Sequence, residues 1–259
     1  MRILLHSSKT MKPEATRVHE LTVPSYLDQA GQLQNVLKNL SQHDIARIMQ
    51  LTEPLAAATR QLIREWNDTS EGTAAALTFR GDIYSGLSAG QWSSNDAEFA
   101  QTHLLILSGL YGLLRPFDAV KPYRLEMGYK LQVDSRTRLD AFWQQQLAGV
   151  LDLTDTHINL TANEYFKVIK HQLSCATVIS PKFLTISPKT GEPTFVTVHA
   201  KIARGSFANW LITNKVDDPA RLSDYTELNY QYDEALSTEH EPVFVCQEFG
   251  GLGLSVRLK

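Results

Sequence analysis

The sequence predicts an α/β protein, a mixed β-sheet flanked by helices in a single compact domain over residues 1–259. Three observations carry this reading. Short apolar runs of buried-strand length, such as Ile3-Leu4-Leu5 and Leu104-Leu105-Ile106-Leu107, recur along the chain. Segments with helix-start signals are interspersed among them, and one stretch reads as a β-hairpin, the combination that marks a mixed sheet. No Gly/Ser linker, low-complexity run or internal repeat divides the chain.

The elements follow in order. Arg2–His6 reads as a first strand, and the loop after it carries Ser7, Ser8, Lys9 and Thr10. Ser25 is placed to cap a helix running to Asn39, with Asp28 as the capping-box acid. Ser41 and Asp44 repeat that signal for a short helix, and Thr52 before Glu53-Pro54 starts another that runs to Trp66. Ala75–Arg80, His103–Ser108 and His157–Leu160 read as buried strands and Asn163–His171 as a short helix. Cys175–Ser187 and Pro193–His199 read as a hairpin around Pro188-Lys189-Thr190-Gly191-Glu192. Lys201–Asn214 completes the helices, and Pro242–Gln247 is a late strand.

Composition excludes several classes. A hydrophobic content of 43% with 20% charged residues is that of a globular protein. Nothing approaches the roughly 18 apolar residues of a membrane span, and Ile3-Leu4-Leu5 is too short for a signal-peptide core. Cys175 and Cys246 lie far apart without CxxC spacing, which points to a reducing cytoplasm. The histidines are scattered, with no HxH, HExxH or ExxH, so neither a metal nor a cofactor is expected. The chain has no GxxxxGK[ST] loop, no GxGxxG after a strand and no GxSxG elbow.

Charge is unevenly distributed around a net −3. From Leu160 to Lys215 there are seven Lys/Arg against two acids, and from Val216 to Lys259 three against nine. A basic segment followed by an acidic one fits a phosphate-facing surface, and equally fits two segments that neutralise each other in the fold.

The densest polar motif is His103–Gly128, HLLILSGLYGLLRPFDAVKPYRLEMG. An apolar strand runs into Ser108-Gly109 and Gly112. Arg115, Asp118, Lys121, Tyr123, Arg124 and Glu126 follow, punctuated by Pro116 and Pro122. Loops at the ends of buried strands are where α/β proteins place their sites. This signature resembles that of the YaaA family. Four further blocks agree in the same order: Ser8-Lys9-Thr10, FRGDIYSGL over Phe79–Leu87, NLTANEYFK over Asn159–Lys167 and HAKIARG over His199–Gly205. The resemblance implies a cytoplasmic DNA-binding protein that limits oxidative DNA damage. It also implies a helix-hairpin-helix element, near residues 41–66, although the usual hairpin glycines are missing there and the residues also read as an ordinary helical hairpin packed on the core.

Three function classes remain open, the blandest being a stress-induced interaction protein whose polar loops dock another protein and which has no nucleic-acid affinity. In the first, Lys9, Arg80, Arg115, Lys121, Arg124, Lys167, Lys201 and Arg204 line one cleft on the DNA backbone, with Tyr84, Tyr123 or Tyr165 stacking on exposed bases. Duplex or distorted DNA would bind with little sequence preference. Lys201 and Arg204, three apart at a helix start, are the clearest phosphate candidates after Arg115, Lys121 and Arg124. In the second, Asp82, Glu126 and Glu164 supply carboxylate acid/base chemistry to an enzyme acting on a nucleic-acid base or nucleotide.

Overall fold

In the computed structural model, which describes residues 1–15, 19–67 and 71–251, the run Ile3-Leu4-Leu5 is fully buried within β1 (Arg2–His6). The part of the expected domain that falls on 252–259 lies outside the described residues. A short β2 (Thr10–Met11) precedes α1 (Leu27–Lys38). Its N-cap is Tyr26 rather than Ser25. The Leu27 N–H donates to the Pro24 carbonyl at 3.3 Å, and no side chain caps the end.

The next two helices start where their caps predict. In α2 (Gln42–Met49) the Ser41 hydroxyl accepts the Asp44 N–H at 3.1 Å and donates to the Asp44 carboxylate at 2.6 Å. α3 (Glu53–Glu65) begins at Glu53-Pro54, where a proline costs no hydrogen bond. Between them Gln50 adopts a left-handed φ of 53°. Ile45, Met49, Ala56 and Ile63 are buried, so the pair is a helical hairpin packed on the core. This geometry does not establish a DNA-contacting helix-hairpin-helix element.

The strand expected over Ala75–Arg80 is instead β3 (Thr73–Ala74), the single turn α4 (Ala75–Thr78) and β4 (Phe79–Arg80). Ala75 and Ala76 donate to the carbonyls of Asp118 and Pro116, and the Thr78 hydroxyl folds back on Ala74 O at 2.8 Å, which interrupts a strand ladder. Sequence reasoning missed α5 (Asp82–Leu87) and α6 (Ser94–His103). The reciprocal Ser93–Asp96 capping box at the start of α6 is the signal that marks it.

The remaining elements are β5 (Leu104–Ser108), β6 (Gly112–Leu114), β7 (Ala119–Val120), α7 (Leu139–Gln146), β8 (His157–Asn159) and α8 (Asn163–Lys170). They are followed by β9 (Val178–Ile179), β10 (Lys182–Ile186), β11 (Pro193–Thr194), α9 (Thr197–Thr213), β12 (Gln231–Tyr232) and β13 (Val243–Cys246). The arm predicted as Cys175–Ser187 therefore splits. Gln172–Cys175 is a 3-10 turn, and β9 and β10 join different sheets on either side of Pro181, which has no N–H to continue a ladder. The hairpin β10–β11 is antiparallel, as its turn predicts. α9 starts at Thr197, earlier than the expected Lys201.

Among the described residues the main sheet has the order β6-β5-β1-β8-β9, parallel except for β6. A second sheet, β11-β10-β13-β12, packs Phe183 and Phe244 against Phe207 of α9. The mixed, helix-flanked sheet is the fold class that the sequence predicts. From β1 the chain reaches β5 on one side, and from β8 it reaches β9 on the other. The loops leaving β1 and β8 therefore diverge, and a crevice opens at their carboxyl ends.

Candidate functional site

A cleft of about 330 Å³ occupies that crevice. The loop after β1 supplies Ser7, Ser8 and Lys9, with His6 from the strand end, and the segment after β8 supplies Ala162, Glu164 and Tyr165. The turn into α5 adds Arg80, Gly81, Asp82 and Tyr84, the loop before Gly128 adds Glu126, and α9 adds Lys201. All five sequence blocks that carried the resemblance thus meet in one place.

Local bonding explains the convergence. Thr10 pairs with Arg80 and Met11 with Phe79 in an antiparallel ladder, which ties the β1 loop to FRGDIYSGL. The Tyr84 hydroxyl donates to the His6 carbonyl at 2.9 Å. The Ala162 N–H donates to His6 Nδ1 at 3.2 Å, which attaches the β8 loop and leaves the imidazole proton on Nε2. Gly81 holds a φ of 126° with Ser8 Oγ only 3.2 Å from where a Cβ would stand, so glycine is required at that corner. Gly86 and Gly205 let α5 and α9 touch backbone to backbone and bring Lys201 and Arg204 to the cleft.

The electrostatics are mixed. Lys9 Nζ lies 2.8 Å from the Glu126 carboxylate, and that bond raises the lysine pKa. Arg80 pairs with Glu14. Burial, assisted by the Arg204 and Lys201 charges, lowers the His6 pKa to about 3, so the ring is neutral. Burial and the neighbouring Glu126 raise the Glu164 pKa, against the pull of Lys9. Arg204 is partly buried, which lowers its pKa, and donates to the Thr161 carbonyl at 3.4 Å. Among the described residues no carboxylate pairs with Lys201 or Arg204, and neither Asp82 nor Glu164 has a side-chain hydrogen bond or ion pair. Such a lining can bind an anionic group, accept N–H bonds, or exchange a proton at a carboxylate.

The other predicted residues lie elsewhere or behind the wall. Arg115 sits at the opposite end of the sheet beside Arg2 and Leu105, where its guanidinium meets the buried Asp118 at 3.2 Å. Lys121 Nζ donates to Asn67, and Lys167 faces Asp140 of α7. Arg124 reaches the Lys9 carbonyl at 3.5 Å, at the edge of the cleft. Tyr123 is buried behind it, its hydroxyl 2.7 Å from Ser108 Oγ. Tyr84 and Tyr165 line the cleft at 7% and 1% exposure, so in this state their ring faces are engaged in packing. Sequence reasoning did not select His6, Ser7 or Ser8 as site residues. Their position at the carboxyl end of a central buried strand is the signal. Among the described residues no group of three or more His, Cys, Asp or Glu is placed to hold a metal ion.

Comparison with known proteins supplies relatives across this whole framework. A family model described as peroxide stress protein YaaA matches residues 1–236. A UPF0246 protein of Salinispora tropica is 48% identical over 258 residues, covering 99% of this chain and 98% of its own length. A UPF0246 protein of Crocosphaera subtropica is 34% identical over 252 residues, with 95% and 100% covered. A third, from Ruegeria pomeroyi, is 38% identical over 233 residues, with 86% and 90% covered.

Proposed function

The chain belongs to the peroxide stress protein YaaA family, and from that premise we propose that it is a cytoplasmic DNA-binding protein that limits oxidative DNA damage, with DNA backbone held at this cleft. The observation that carries the reading is Lys201 and Arg204. They project from successive turns of α9 toward the carboxyl ends of β1 and β8, and no described carboxylate pairs with them. Unpaired cations beside a partly buried pocket favour an anion, and a phosphodiester is the anion that DNA offers. Arg80 lines the same cleft, and Arg124 reaches the Lys9 carbonyl at 3.5 Å. No described helix is long and apolar enough to cross a membrane.

Titration of short duplex and branched DNA across a salt series tests this. Tight binding that weakens steeply and log-linearly with salt is expected. Absence of binding at low salt overturns the proposal.

A second reading rests on a different observation. Backbone binding has no use for carboxylates, yet Asp82, Glu126 and Glu164 all line the cleft, and Glu164 is held more basic than an ordinary glutamate. That lining suits proton transfer on a nucleic-acid base or nucleotide. Under this reading Asp82→Asn retains binding but loses turnover of a nucleotide substrate. A variant that fails to fold would mark the carboxylate as structural.

A further inference from the structure

The interior of the cleft is too small for a duplex. A volume of about 330 Å³ lies at the lower end of small-ligand pockets. A duplex, whose major groove alone is about 12 Å wide, can only lie across its mouth. What enters must be a single small unit.

The lining is also polarised. At one end Lys201 lines the cleft and Arg204 donates to the Thr161 carbonyl at 3.4 Å. At the other, Glu126 and Glu164 line it together with Lys9, whose Nζ lies 2.8 Å from the Glu126 carboxylate. Lys9 neutralises Glu126, which leaves the Glu164 carboxylate without a hydrogen bond or ion pair among the described residues. A Cβ on Gly128 would stand 2.8 Å from Glu164 Oε2, the end of a flexible side chain, so glycine in the loop carrying Glu126 leaves room for the carboxylate in this position. A ligand that satisfies both ends carries an anion at one and adjacent N–H donors at the other. Mononucleotides combine the two, and among the common bases guanine presents neighbouring N1–H and N2–H donors that match a carboxylate in bidentate fashion.

We propose that the cleft takes one nucleotide unit, with its phosphate at Lys201 and Arg204 and a base bearing adjacent N–H donors, guanine foremost, at the carboxylate of Glu164. This rests on the phosphate-binding reading above and assigns it a base. The unit is either a free nucleotide or one nucleotide turned out of a bound strand, at a cost that is least where the base is already unpaired.

The test titrates the full chain with GMP, with IMP, which lacks the exocyclic amine, and with TMP. It then titrates duplexes carrying one bulged guanine, one bulged thymine or one abasic site. GMP is expected to bind about tenfold more tightly than IMP or TMP, the size of one bidentate base contact. Glu164→Ala, at an exposed helical position, should abolish that preference. Gly128→Ala, which displaces Glu164 without touching the ligand, should weaken it. A bulged-guanine preference sensitive to Glu164 supports the strand as source. The GMP preference without any DNA binding supports the pocket for free nucleotides and overturns the backbone reading. Salt-dependent DNA binding that treats guanine, thymine and abasic sites alike, with no GMP preference, overturns the base assignment and leaves the backbone reading standing. Absence of both nucleotide and DNA binding overturns both.

Discussion

Gly205 of α9 lies directly against the carbonyl oxygen of Ile83 in α5, so that a Cβ on it would fall closer than 3.0 Å to that atom. Gly86 meets the Ile202 carbonyl in the same way from the other side. Both glycines belong to sequence blocks that carry the candidate site residues. Their role is steric: they set the two helices backbone to backbone and thereby put Asp82 and Tyr84 beside Lys201 and Arg204.

Gly205→Ala should therefore destabilise the fold by about 3 kcal/mol or more, since the obstruction is backbone and cannot rotate away. A lower denaturant midpoint at unchanged slope is the expected observation. Gly31→Ala is the control. Nothing lies within 4 Å of that Cβ in the middle of α1, and alanine should stabilise by roughly 0.5–1 kcal/mol. Equal effects at the two positions would refute the close-crossing argument.

The cations divide by location. Lys201→Ala and Arg204→Ala should each weaken DNA binding and reduce the salt slope by about 1. Arg115→Ala should leave both unchanged, because that guanidinium serves Asp118 at the far end of the sheet. Its effect should be on stability, about 1 kcal/mol, since Asp118 keeps its bonds to the Thr22 hydroxyl and the residue 115 amide. Fluorescence anisotropy and thermal melts on the same three variants separate the two outcomes.

His6 makes stability depend on pH in a defined window. The unfolded imidazole takes up a proton near 6.5, whereas the folded one resists until about 3. Between those values the unfolded state binds more protons, so stability falls as pH is lowered through the window. His157 and His199, whose pKa values burial also lowers, add in the same direction. Urea melts from pH 7 to pH 4 should show the decline, and His6→Gln should flatten it. An equal slope in that variant would assign the effect to the other histidines.

Tyr111 tests the packing behind the motif. Its buried hydroxyl accepts the Trp66 indole N–H at 2.9 Å and the Lys121 amide at 3.1 Å. Tyr111→Phe leaves two donors without their acceptor and should cost about 2 kcal/mol. A change below about 0.5 kcal/mol would show that water replaces the hydroxyl.

Local features were legible in the sequence because they depend on near neighbours. The Ser41–Asp44 cap, the Glu53-Pro54 start, the buried runs Ile3–Leu5 and Leu104–Leu107 and the turn at 188–192 each lie within one short window, and each forms as read. The membership of Lys9, Arg80, Asp82, Glu126, Glu164 and Lys201 in polar blocks was equally visible. Their meeting in one cleft was not, because it follows from strand order: β1 sits between β5 and β8, and the loops that leave β1 and β8 diverge. The same order carries Arg115, thirteen residues before Gly128 in the same motif, to the other end of the sheet. Sequence by itself determined which side chains were available and where helices and strands begin. Tertiary structure decided which of those side chains share a dielectric environment, since only the sheet register and the Gly86–Gly205 crossing bring charges from distant blocks within reach of one another.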